Sequence, residues 1–426
     1  MNRMIAAWCR VIWLAPCLLF AGEPADQAEK LTLAEVYRRV ETIHPGLAAY
    51  GLQEQVMAAL VDQAGRLPNP ELEVELEDFG GSFSGLDRAE TTVAVSQTVQ
   101  TAGKRKLRVR VAEGERQLAA WDTRAARLDV ALETYVTFYE MLGAQQWVAL
   151  HDDLFRLAEE THATMQARVE AGKVSPLEAV SAEVALSQAR LARTRAETRL
   201  HMVRGRLAAL WGGDPATEIR VSGDLERVDA MPTLPEVLER LERNPQMARW
   251  AQERETSDAR LVLEKKRSIP DLDVQAGYRH FRESGENTWV AGVSVPLPFF
   301  DRNRGNRRAA VLAVRQVAES EKAVRNRLVA EATESYYRAQ AARASLTSLR
   351  DQVLPAAKRA FEGAGLGYRE GKFAYLDLLE AQRNYFETRA AYTEALVEMH
   401  RETAALARLT GQVAVSQPEE DGREHD

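Results

Sequence analysis

One plan runs twice through this chain, and that repetition constrains the fold more than any single motif. Leu33-Ala34-Glu35-Val36 returns as Leu234-Pro235-Glu236-Val237, and His44-Pro45 as Asn244-Pro245. Pro70-Glu71-Leu72-Glu73-Val74 returns as Pro270-Asp271-Leu272-Asp273-Val274, and Val95-Ser96 as Val293-Ser294. Gly103-Lys104-Arg105 matches Gly305-Asn306-Arg307, Gly172-Lys173 matches Gly371-Lys372, and Leu210-Trp211-Gly212 matches Leu409-Thr410-Gly411. The offset stays between 198 and 202 residues. Chance does not hold one register over seven landmarks, and so long a period means two halves of one assembly, not a solenoid of short repeats.

Each half reads as a pair of strands followed by a pair of long helices. Glu71 to Asp78 alternates, with Leu72, Val74 and Leu76 opposite Glu71, Glu73, Glu75 and Glu77. That period of two gives a strand with two unlike faces. Residues 287 to 297 alternate likewise, Trp289, Ala291, Val293, Val295 and Leu297 sharing one side, until Pro296 and Pro298 end the pattern; proline cannot donate into a sheet ladder. From Gly103 no proline occurs before Pro176, enough for a helix on the order of 100 Å long. The first repeat is thus placed at 31–212, with strands over about 71–78 and 91–99 and helices over about 104–170 and 175–211. The second is placed at 233–411, with strands over about 271–281 and 288–297 and helices over about 306–367 and 374–410, and 412–426 is a polar tail.

Four strands cannot close a barrel, and an open sheet with one apolar face would aggregate at its edges. Closure needs further copies of the chain. Strands of about 9–10 residues have the length that crosses a bilayer when tilted.

The N-terminus agrees. Arg3 and Arg10 precede an apolar run from Val11 to Ala21, which predicts a signal peptide over 1–22. Both cysteines, Cys9 and Cys17, lie inside it, so the mature chain would have no disulfide or thiolate chemistry; lipidation at Cys17 is the competing reading. Losing Arg3 and Arg10 leaves 54 basic against 63 acidic residues. That balance, on a secreted chain, argues against nucleic acid as a partner. No other apolar run reaches the length of a membrane helix.

The duplicated plan over residues 31–411 resembles the TolC family of outer-membrane efflux channels. Ser294-Val295-Pro296-Leu297-Pro298-Phe299-Phe300-Asp301-Arg302-Asn303-Arg304-Gly305 and Gln100-Thr101-Ala102-Gly103-Lys104-Arg105 resemble its cobalt–zinc–cadmium resistance branch. The resemblance implies a mainly α fold with a small β part: a homotrimer whose twelve strands form one outer-membrane barrel, continued as a periplasmic helical tunnel. It also implies a periplasmic adaptor and an inner-membrane RND-type pump as partners, outer-membrane lipid around the barrel, no catalysis and no cofactor. Heavy-metal cations are the expected cargo, with multidrug or polypeptide export as the alternative. A periplasmic coiled-coil adaptor is a third reading, but it would need a lipoyl-like β-domain inside one hairpin.

Candidate functional residues follow. In the resembling family, acidic residues shortly after the tip glycine constrict the tunnel, and Asp377 and Glu380 fall on those positions; three apart on a helix, they share a face. The plain alternative is acids favoured at a helix N-terminus. The first half carries Glu178 but Ser181 at the equivalent places. The tip turns at Gly172-Lys173 and Gly371-Lys372 are expected adaptor contacts, though any helical hairpin needs a glycine there. Glu73, Glu75 and Glu77, with Asp273, are expected to line the barrel lumen. Basic residues after each second strand, Lys104, Arg105, Lys106, Arg108 and Arg110, then Arg302, Arg304, Arg307 and Arg308, suggest contact with lipid phosphates. Gly363-Ala364-Gly365-Leu366-Gly367 follows no strand and makes no dinucleotide site. Gly371-Lys372 lacks the phosphate-loop spacing, and His151 and His162, about 16 Å apart along a helix, cannot share a metal.

Overall fold

A computed structural model describes residues 29–81, 85–228 and 230–412. The expected signal peptide over 1–22, with Cys9 and Cys17, and the tail beyond Gln412 lie outside the described residues. The elements in order are β1 (Glu29–Leu31), α1 (Leu33–Ile43), α2 (Pro45–Ala64), β2 (Glu71–Glu77), β3 (Glu90–Val99), α3 (Lys104–Glu170), α4 (Pro176–Ala209) and β4 (Ile219–Val221). Then come α5 (Leu234–Arg240), α6 (Pro245–Lys266), β5 (Leu272–Phe281), β6 (Asn287–Ser294), α7 (Arg304–Ser348), α8 (Leu354–Arg369) and α9 (Tyr375–Leu409).

The repeated landmarks turn out to be punctuation. His44 Nδ1 accepts from Leu47 N–H at 3.3 Å and Asn244 Oδ1 from Gln246 N–H at 2.8 Å, so each caps a helix that begins on the following proline. Proline is tolerated there because the first helical N–H is unbonded in any case. Thr32 with Glu35, and Thr233 with Glu236, begin α1 and α5 through the same reciprocal arrangement.

The four longer strands form one antiparallel sheet in the order β2-β3-β5-β6. Glu73 faces Ala94, Ala94 faces Gly277 and Gly277 faces Val290, while one residue along, Val74, Val93, Tyr278 and Trp289 stand in line. Burial runs opposite to that of a water-soluble sheet. Thr92 and Ala94, on the polar face, are buried, whereas Trp289 is 82% and Val74 65% exposed on the apolar face. Both outer strands have an unpaired edge within the chain.

Two differences from the expected elements have physical causes. The last strand stops at Ser294, opposite Asp273, rather than at 297, since β5 begins at Leu272 and Pro296 has no N–H to offer. The helix expected over 306–367 is broken by a π-helical turn at Leu349–Val353. Pro355 cannot donate back to the preceding turn, and the wider turn absorbs the missing bond.

α3, at 67 residues, is the spine. It pairs with α4 in one hairpin and with α9 of the second hairpin, where α9 runs back along α7 and α8. The core lies midway along α3 and at the C-terminal parts of α4 and α9, around Phe138, Met141, Leu207 and Met399. Closure of that core uses a parallel pair, β1 with β4, which brings Leu31, Ile219 and Val221 onto the bundle. Three-residue strands have too little periodicity to be read in advance. α3 and α9 approach closely at Gly143, where a Cβ would stand 2.5 Å from Val397 Cγ2.

Candidate functional site

The far end of the two hairpins carries the residues read as gate and docking tip. Both turns use glycine in the left-handed region, Gly172 at φ 67° and Gly371 at φ 74°, a conformation that an L side chain resists. The two turns close alike: Lys173 N–H donates to the Arg168 carbonyl at 2.9 Å and Lys372 N–H to the Gly367 carbonyl at 2.8 Å. Lys173 and Lys372 project into solvent, the latter beside Glu370 at 2.6 Å.

Just behind the turns the hairpins touch. Tyr375 packs with Met165 and Ala182, and Arg168 donates to the Tyr368 hydroxyl at 3.1 Å, joining α3 to α8. The Tyr375 hydroxyl is buried without a hydrogen-bond partner among the described residues. Burial, with help from Tyr368 and Glu178, pushes it up to about 12. Nothing in the sequence distinguished Arg168 or Tyr368 from other surface residues of long helices.

The expected acidic pair separates by role. Asp377 Oδ2 accepts from Ala374 N–H at 2.9 Å, closing the first turn of α9. The same carboxylate therefore caps α9. Glu380 makes no such bond; it stands exposed at the rim of an 860 Å³ groove between α4 and α9. Leu376, Leu379, Val184 and Phe386 line that groove, with Ser181 opposite.

At the other end, Glu73, Glu75, Glu77 and Asp273 share the polar face of the sheet. Asp273 accepts from Thr98 Oγ1 at 2.6 Å. Sequence reasoning missed Arg279 on the same face. Its guanidinium reaches Glu77 and Glu90, each at 3.1 Å, and donates to Thr92 Oγ1 at 2.8 Å. The signal was present, since Arg279 continues the series Asp273, Gln275, Gly277. The face is thus less uniformly anionic near Glu77 than the run of glutamates suggests. Where sheet meets helix, Lys104 binds Asp271 Oδ1 at 2.9 Å and the Ile269 carbonyl. Burial raises the Asp271 carboxyl, but the bonds from Lys104 and Thr101 and the ammonium charge outweigh it and hold the group below its ordinary value. Among the described residues no three His, Cys, Asp or Glu side chains gather as a metal site.

Each half thus supplies two strands of a sheet with one polar face and one long helical hairpin that continues it. The model of the outer membrane efflux protein family matches residues 36–213 and 238–412, one match to each half. The chain belongs to this family. As an outer-membrane efflux channel it is 31% identical over 389 residues to the cobalt-zinc-cadmium resistance protein CzcC of Cupriavidus metallidurans, covering 91% of this chain and 92% of that one. It is 28% identical to the nickel-cobalt-cadmium resistance protein NccC of Alcaligenes xylosoxydans xylosoxydans, over 70% of this chain and 69% of that one. Among solved structures, the outer membrane channel CmeC of Campylobacter jejuni superposes with a TM-score of 0.76 at 15% identity, covering 89% of this chain and 85% of that one. At that identity the likeness speaks for the fold. In this efflux channel the sheet is barrel wall, and the helical hairpins are the tunnel.

Proposed function

We propose that the chain forms a homotrimeric outer-membrane duct that exports heavy-metal cations, working with a periplasmic adaptor and an inner-membrane RND-type pump. The observation that carries the reading is the sheet: apolar residues exposed outward, carboxylates on the opposite face, and both edges left to pair with further copies. Such a wall is stable only in lipid and only when closed. The cargo is argued from relatives named for metal resistance and from carboxylates on the polar face, which raise local cation concentration without holding an ion tightly. Asp377 and Glu380 are proposed as the constriction, and the turns at Gly172-Lys173 and Gly371-Lys372 as adaptor contacts.

The apolar groove beside Glu380 favours a second reading, export of amphipathic organic compounds. A deletion strain separates the two. Metal export predicts sensitivity to zinc, cobalt or cadmium that the intact gene reverses. Sensitivity to dyes and detergents, with unchanged metal tolerance, would overturn the metal reading in favour of the second.

A further inference from the structure

The two halves make the same passage from sheet to helix, so each serves as a control for the other. In the first, four residues, Gln100–Gly103, link β3 to α3. They stay against the body: Thr101 N–H donates to Asp271 Oδ1 at 2.8 Å and its hydroxyl to the Pro270 carbonyl at 2.6 Å. In the second, nine residues, Val295–Asn303, cover the same step. The surplus is an apolar finger, Leu297-Pro298-Phe299-Phe300, in which Leu297 is 67%, Phe299 68% and Phe300 104% exposed. An apolar projection of this kind marks a surface that something covers.

The finger is held in place. Phe299 N–H donates to the Leu297 carbonyl at 2.9 Å, and Asp301 Oδ1 accepts from Asn303 N–H at 2.8 Å. Asn303, left-handed at φ 55°, donates to the carbonyl and the carboxylate of Glu264 at 2.9 and 2.8 Å. Leu297 also continues the parity of Trp289, Val293 and Val295, so the finger extends the apolar side of the sheet past its last ladder pair.

Next to it stand four arginines, Arg302, Arg304, Arg307 and Arg308. Among the described residues Arg304, Arg307 and Arg308 are exposed and approach no carboxylate, and Arg302 Nε reaches only the Pro298 carbonyl, at 3.3 Å. The basic cluster of the first half differs. There Lys104 is engaged by Asp271, Arg108 by the carbonyls of Ala64 and Arg66, and Arg110 by Glu255. Arg105 and Lys106 of that cluster are exposed and approach no carboxylate among the described residues, so the halves differ at Lys104, Arg108 and Arg110 and in the apolar finger, which the first half lacks.

We infer that the finger and its arginines form an anchor for the periplasmic leaflet of the outer membrane. Phe299 and Phe300 sit at the boundary of the acyl region, where barrels place aromatic girdles. Arg302, Arg304, Arg307 and Arg308 bind the phosphates of anionic phospholipid, for which a planar guanidinium is suited. The inference rests on the outer-membrane reading of the sheet.

The assembled full-length channel in zwitterionic detergent tests this, with phosphatidylglycerol and phosphatidylcholine retained per assembly counted by native mass spectrometry. Wild type is expected to prefer phosphatidylglycerol, less so as salt rises. Each cation near an anionic surface contributes about fivefold to binding. Arg304→Gln, Arg307→Gln and Arg308→Gln together should therefore weaken phosphatidylglycerol retention by on the order of a hundredfold and leave phosphatidylcholine unchanged. Phe299→Ser with Phe300→Ser should reduce both lipids alike. Equal retention of the two lipids by wild type overturns the anchor without recourse to any variant. So does a serine variant that falls apart into single chains while lipid retention is unchanged, which would make the finger a contact between copies. A heat-resistant assembly with unaltered lipids in both variants would likewise refute the anchor, since failure of the outer-membrane reading would instead appear as no assembly in wild type.

Discussion

Lys104→Met isolates the joint between barrel and tunnel. The Lys104 side chain is 10% exposed and its ammonium binds both Asp271 and the Ile269 carbonyl, tying the start of α3 to the residues that lead into β5. Removing one partner of a fully buried ion pair costs about 3–5 kcal/mol. Asp271 is 28% exposed and keeps its bond from Thr101 N–H, so solvent screening reduces the loss to ~2 kcal/mol. The assay is the temperature at which the heat-resistant assembly dissociates on a denaturing gel, and the midpoint should fall by a few degrees. Acid provides the second readout. The Asp271 carboxyl is held low in the folded chain, so its stabilisation is present above the ordinary aspartate value and is lost as pH falls through the lowered one. Without Lys104, burial dominates and protonation relieves the carboxylate. The gap between wild type and variant should therefore narrow below about pH 4. Adding Asp271→Asn should recover part of the loss, because the neutral amide removes the unpaired charge and keeps an oxygen for the Thr101 N–H. A midpoint equal to wild type, or a gap that widens in acid, would refute the reasoning.

Three further outcomes are expected. Glu380→Gln should raise single-channel conductance and weaken cation selectivity in planar bilayers with α9 unaltered, and Asp377→Asn should do the same while keeping an oxygen for the Ala374 N–H; unchanged traces from both would remove the constriction assignment. Gly143→Ala should destabilise the contact of α3 with α9 by about 1–3 kcal/mol, because the new methyl meets Val397, and thermal dissociation would report it. Tyr375→Phe should be neutral or stabilising by up to about 1 kcal/mol, since it removes a buried hydroxyl that has no partner; a clear loss of stability would mean that the hydroxyl is bonded in the assembled channel.

What could be read from the sequence was what the backbone's periodicity writes directly. Alternation of Leu72, Val74 and Leu76 with glutamates gave the strand, and Gly172 and Gly371 gave the tip turns. Features that depend on distant residues meeting were not written that way. β1 and β4 are three residues each and pair at an offset of 190 positions, so neither carries a pattern of its own. Arg168 meets Tyr368 only because two hairpins lie side by side, and Lys104 was one of several bases until the fold put Asp271 next to it. At the tip the sequence showed two acids on one face but not that one of them caps its helix.

The account stands on copies of the chain closing one sheet through the edges of β2 and β6. With both cysteines in the predicted signal segment, the mature chain offers a clean background for single cysteines placed along β2 at Leu72 and Val74 and along β6 at Ala291 and Val293. Oxidation of paired variants in intact outer membranes should give covalent dimers and trimers and nothing larger. Chains that stay monomeric in every pairing, or a ladder that runs on past three, would contradict it.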